Sequence, residues 1–167
     1  GVLYLSFPYY RVVALEAESG DVIWEYTAPG DWNSPEHQLH WTGGSMRGLA
    51  YWEGDSVTAP QIVFGTEEGE LISLNATTGI PNARFGNDGY VDLKTPDVMK
   101  EFPDMHYGIS SGVAVYKHLV FTGVHNADET GSKGPAGDVR AWDLRTGDLV
   151  WTFHTVPRPG EVGNETW

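Results

Sequence analysis

One short segment occurs three times in this chain: VVALEAESGDVIW at residues 12–24, LISLNATTGIPNA at 71–83 and VRAWDLRTGDLVW at 139–151. Each copy is an apolar strand, a polar turn ending in glycine and the start of a second strand. Two of the three place tryptophan four residues after the glycine. A repeat made only of strands and turns buries nothing by itself, so its copies must stack on one another. That requirement predicts a repetitive, all-β chain in which the strand alternation has period 2 and glycine closes the hairpins.

Around the repeats, further strands read as VLYLS, GLAYWEG, PQIVFGT, SGVAVY and KHLVFTG, and the second copy itself reads as the strands GELISLNA and IPNARFG. Grouped with the repeats they form antiparallel units of four strands, with a shorter unit at the start. This predicts a partial β-propeller of about two and a half four-stranded blades. The expected layout is a blade part at 1–27, a loop at 28–46, a blade at 47–87, a loop at 88–108, a blade at 109–156 and the start of a linker at 157–167. The third repeat carries an acidic and glycine-rich insertion, VHNADETGSKGPA. Loops of this length on a compact scaffold are where function concentrates. Too few blades are present to close a ring, and the chain runs from Gly1 directly into a strand. We therefore expect a piece of a longer protein, prone to self-association through uncovered blade edges.

Ten basic and 23 acidic residues give a net charge of -13, which argues against a nucleic-acid partner because phosphate contacts require basic surface. With no cysteine, disulfides and thiolate metal sites are excluded. Seven tryptophans fit blades in which a large ring serves as a recurrent packing plug.

The signature formed by Ala141, Trp142, Asp143, Thr146, Gly147 and Trp151 resembles the tryptophan-docking motif of the quinoprotein dehydrogenases. The first copy departs from it with Glu16, the second with Asn75 and Ala83. MRGLAYWEGD (46–55) and WTFHTVPRPGEVGNETW (151–167) are similar to stretches of the same family, and in its order. The resemblance implies an eight-bladed propeller that binds pyrroloquinoline quinone (PQQ) and Ca2+. It implies oxidation of an alcohol or aldose in the periplasm, with membrane association of the full-length protein as a variant, and a quinone or cytochrome as electron acceptor. It further implies that PQQ and Ca2+ belong to the full-length protein and that the catalytic aspartate comes from a later blade, so this chain alone is expected to be inactive.

Arg47 matches the family arginine that contacts the quinone's carboxylate region. A permanently charged, planar fork suits such a ligand. The plainer alternative is a surface arginine paired with Glu36 or Asp55. His40 stands where a histidine would cover the quinone in the glucose dehydrogenase type, although seven residues before Arg47 is further than the family pattern. YGISSGVAV (107–115) resembles a blade opening with a hydroxyl contact to the cofactor, which makes Ser110 and Ser111 candidates; a polar strand start is the alternative. His106 is a weaker addition. Asp128 and Glu129 fall off the family spacing for a calcium ligand, so no metal ligand is assigned. Glu16, Asn75 and Asp143 occupy one repeat position and are expected to make a turn hydrogen bond rather than chemistry. A non-catalytic propeller scaffold of the same superfamily, and a relative sharing only the fold, are the competing readings.

Overall fold

The computed structural model describes residues 1–30, 47–126 and 134–166. Three antiparallel sheets follow one another along the chain. The first contains β1 (Val2–Phe7), β2 (Arg11–Glu16) and β3 (Val22–Thr27) in that order. The second contains β4 (Ala50–Trp52), β5 (Gln61–Gly65), β6 (Glu70–Asn75) and β7 (Tyr90–Asp92). A turn of helix (Pro96–Met99) and β8 (Tyr107–Gly108) lead to the third sheet, formed by β9 (Ala114–Tyr116), β10 (Leu119–Thr122), β12 (Val139–Asp143) and β13 (Leu149–Phe153). A small extra ladder pairs β8 with β11 (His125–Asn126). The first strands of the sheets converge: Tyr4 of β1 stacks near Tyr51 of β4 at 6.1 Å between ring centroids, and β4 touches β9. These are blades of a partial β-propeller, one of three strands and two of four.

The outer strand of the second blade differs from expectation. IPNARFG does not form it. Tyr90–Asp92, within the segment read as loop, pairs with β6 instead. Pro81 contributes one isolated bridge to Leu74, and Asn82 N–H donates to the Ser73 carbonyl at 2.8 Å. A proline has no N–H to extend a ladder, and the chain turns through Gly86 and Gly89 before returning as β7.

The repeated turns are built alike. A side-chain oxygen of Glu16, Asn75 and Asp143 accepts from the backbone N–H two residues on, at 3.3, 2.9 and 2.9 Å. The glycines that follow have φ of 78°, 72° and 79° at Gly20, Gly79 and Gly147. A side chain would be strained there. The aspartate position is therefore a turn device.

Burial lies between blades rather than within them. One cluster joins the first two sheets through Tyr10, Val12, Trp24, Phe64 and Leu74. Another joins the second and third through Phe85, Leu93, Tyr107, Trp142 and Leu144. The two seams are closed differently. At the first, the Trp24 indole covers Gly79 so closely that a Cβ there would lie 2.6 Å from the ring, and Nε1 donates to the Ala76 carbonyl at 3.0 Å. At the second, where Ala83 replaces the tryptophan, backbone meets backbone. Gly86 N–H donates to the Thr146 carbonyl at 2.8 Å, and a Cβ on Gly147 would sit 2.5 Å from the Gly86 nitrogen.

Candidate functional site

Arg47 lies just before β4, and Ser110 and Ser111 just before β9, so both candidates stand at the same end of adjoining inner strands. Backbone proximity joins them. A Cβ built on Gly112 would contact the Arg47 carbonyl at 3.7 Å, and one on Gly48 would contact the Gly112 Cα at 3.4 Å. Two glycines thus face each other between the arginine and the serines. No side chain of theirs fills the space.

Arg47 is exposed, and among the described residues no carboxylate pairs with it. Asp55, one of its suggested partners, is occupied elsewhere. Its Oδ1 accepts from the N–H groups of Val57 and Thr58 at 3.0 and 2.8 Å, which holds its carboxyl below the ordinary carboxylate range. Ser110 is half-buried and Ser111 exposed. Glu36 and His40 lie outside the described residues, as do Asp128 and Glu129 of the insertion. His106 is exposed and its ring meets that of His125 edge-on at 5.2 Å. Among the described residues, no group of three or more His, Asp or Glu side chains is placed to hold a metal ion.

The corner before Ser110 is fixed by all three blades. Ile109 N–H donates to the Thr66 carbonyl at 2.7 Å. Gly108 lies so close to the Glu67 backbone that a Cβ would collide with the Glu67 carbonyl. The Glu67 N–H in turn donates to the Tyr10 hydroxyl at 3.0 Å. Burial, reinforced by a hydrogen bond to Glu68, pushes the Tyr10 phenol above its ordinary range, so it stays neutral. Burial likewise raises Tyr107. Nothing local marks these roles: FPYY reads as a connection, and Tyr107 and Gly108 only as the opening of YGISSGVAV. The pairing of Tyr10 with Glu67 spans two blades and leaves no local pattern.

The VPRPGE segment is latched to the third blade by charge. Buried Asp138 pairs with Arg158 at 3.4 Å and accepts from Thr155 N–H at 3.3 Å. Glu161 contacts His154 Nδ1 at 2.7 Å and accepts from Arg158 N–H at 2.8 Å, and these contacts lower its pKa.

A family model for the β-propeller domain of the PQQ glucose/ethanol/alcohol dehydrogenases matches residues 1–167. The chain belongs to this family. Among curated relatives it is 32% identical over 157 residues to a quinohemoprotein alcohol dehydrogenase of Pseudomonas putida, covering 94% of this chain and 19% of that protein. It is 29% identical over 162 residues to the quinoprotein glucose dehydrogenase of Escherichia coli, covering 90% of this chain and 19% of that protein. The chain therefore spans about a fifth of the length of these relatives. A solved quinohemoprotein alcohol dehydrogenase, ADHIIG from Pseudomonas putida, superposes with a TM-score of 0.68 at 28% identity over 94% of this chain and 19% of its own. The corresponding enzyme from Comamonas testosteroni shares the fold, with a TM-score of 0.66 at 24% identity over 96% of this chain and 21% of that one.

The residues present suit a quinone of this family. A flat, multiply charged anion needs an unneutralised cation, neutral donors and room for close approach. Arg47, which no carboxylate among the described residues pairs with, Ser110, Ser111 and the Gly48–Gly112 backbone contact lie at one corner.

Proposed function

We propose that the protein containing this chain is a PQQ-dependent dehydrogenase that oxidises an alcohol or the C1 hydroxyl of an aldose. In this reading it works in the periplasm, soluble or membrane-associated, with Ca2+ beside the quinone, and passes electrons to a quinone or cytochrome acceptor. The observation that carries it is the meeting of Arg47 and the Ser110–Gly112 corner across two blades of a chain belonging to this family. When bound, PQQ supplies the two-electron redox chemistry that no side chain here can. Arg47 would bind a carboxylate of the quinone, and Ser110 and Ser111 would donate hydrogen bonds to its oxygens. The Gly48–Gly112 contact would let the ring system approach the backbone. The proton of the substrate hydroxyl would pass to a carboxylate supplied outside this chain.

The test is a spectroscopic titration of the full-length protein with PQQ, with and without Ca2+, beside an Arg47→Ala control. Loss of one charge-assisted, bidentate contact weakens binding on the order of tenfold to a hundredfold. Absence of PQQ binding by the unaltered protein, or an unchanged affinity in the variant, refutes the assignment. On its own, this chain would self-associate through the uncovered edge carrying Trp151 and Phe153, 41% and 63% exposed. A monomeric mass by sedimentation would contradict that.

A further inference from the structure

Arg140 is the largest fully buried side chain of the described residues, at 2% exposure in the middle of β12. The repeat itself makes this unusual. The equivalent positions of the other two copies are Val13 and Ile72, at 4% and 0% exposure. The scaffold accepts a β-branched apolar residue there, so nothing in blade architecture calls for a cation. Burying one is unfavourable unless its donors are satisfied. Among the described residues Arg140 has no carboxylate partner within ion-pair distance, and its Nε is buried without an acceptor.

Its remaining donors all point to one place. Nη2 donates to the Leu93 carbonyl at 2.7 Å and to the Tyr107 hydroxyl at 2.6 Å, and Nη1 to Thr95 Oγ1 at 3.3 Å. The guanidinium also lies 5.3 Å from the Tyr107 ring centroid and 4.9 Å from that of Trp142. Leu93, Thr95 and Tyr107 belong to the connection between the second and third blades. Three residues beyond Tyr107 stands Ser110. A charged hydrogen-bonding fork has thus replaced an apolar core residue in the repeat whose preceding connection ends at Ser110 and Ser111.

We propose that Arg140 is a positioning residue, clamping the connection at Leu93, Thr95 and Tyr107 so that Ser110 and Ser111 present their hydroxyls beside Arg47. The inference rests on the reading under Proposed function for its ligand, but the clamp itself is independent of it. The test uses the full-length protein carrying Arg140→Ile, the residue the second repeat already holds, and Arg140→Lys. Three quantities are measured: PQQ affinity by titration, alcohol KM at saturating PQQ, and amide hydrogen exchange over 107–112. Arg140→Ile keeps its melting temperature, weakens PQQ binding by about tenfold and speeds exchange at 107–112, with KM unchanged. Arg140→Lys recovers part of the affinity. A purely structural arginine would leave affinity and exchange at this corner as they are, and that result overturns the proposal. If Arg140→Ile does not fold, Tyr107→Phe removes one acceptor alone and shifts both readouts the same way by a smaller factor; no shift overturns the proposal. If the unaltered protein binds no PQQ, the cofactor reading fails, and exchange at 107–112 alone then decides the clamp: unchanged exchange in Arg140→Ile refutes it.

Discussion

The Ala76 carbonyl receives two side-chain donors from the first blade, the Trp24 indole N–H and the Tyr4 hydroxyl, each at 3.0 Å. Removing either donor leaves the other in place. Tyr4→Phe deletes one neutral hydrogen bond and costs ~1 kcal/mol. Trp24→Phe deletes the other and shrinks a ring that is 9% exposed, for a total of about 2 kcal/mol. Together they orphan the carbonyl at a buried seam, which adds on the order of 1–3 kcal/mol beyond the sum. The double variant should therefore lose about 4–6 kcal/mol, with the excess as the signature. Urea unfolding of the four proteins, followed alongside amide exchange in the 74–79 turn, measures the cycle. Additivity within about 0.5 kcal/mol would refute the idea that the two blades are joined through a shared acceptor.

Gly79→Ala places a Cβ 2.6 Å from the Trp24 ring at a φ of 72°, and thermal melting should register a loss of about 1–3 kcal/mol. Gly108→Ala drives a Cβ into the Glu67 carbonyl; backbone must move, so both stability and PQQ affinity should fall, measured by melting and titration on the same sample. The Asp143 carboxyl is held below its ordinary 3.8 chiefly by its hydrogen bonds from Arg145. A folded pKa below the unfolded one gives stability that is present above pH ~4 and lost as pH falls through the lower, folded value. Asp143→Asn keeps the turn acceptor, as Asn75 does naturally, so an acid-unfolding series should lose this part of the acid limb while the hairpin stays intact.

The fold was legible because its information is local and repeated. Glycine after a polar turn, and an acceptor at Glu16, Asn75 and Asp143, define each hairpin in the sequence as they do in space. The outer strand of the second blade was not legible. Tyr90–Asp92 is only three residues long and enters after a turn whose geometry rests on Gly86 and Gly89, while IPNARFG has the more strand-like look. Arg47, Ser110 and Ser111 could be named from motif, yet their proximity depends on how two blades meet and has no sequence correlate. Tyr10 and Arg140 act across seams. Tyr10 sits in what reads as a connecting turn, and Arg140 is recognisable only when the three repeats are laid over one another and a charge appears in an apolar column.

Trp24 and Trp151 occupy the same position of the repeat, but one is 9% exposed and the other 41%. The first indole is sealed under the neighbouring turn; the second leans on Phe121 of its own blade, with ring centroids 5.6 Å apart. The chain thus contains two indoles at one repeat position, one covered by the neighbouring blade and the other largely uncovered. Whatever packs against the last sheet should move the Trp151 emission toward that of Trp24, and the difference spectrum against a Trp151→Phe variant isolates that shift from the other six tryptophans.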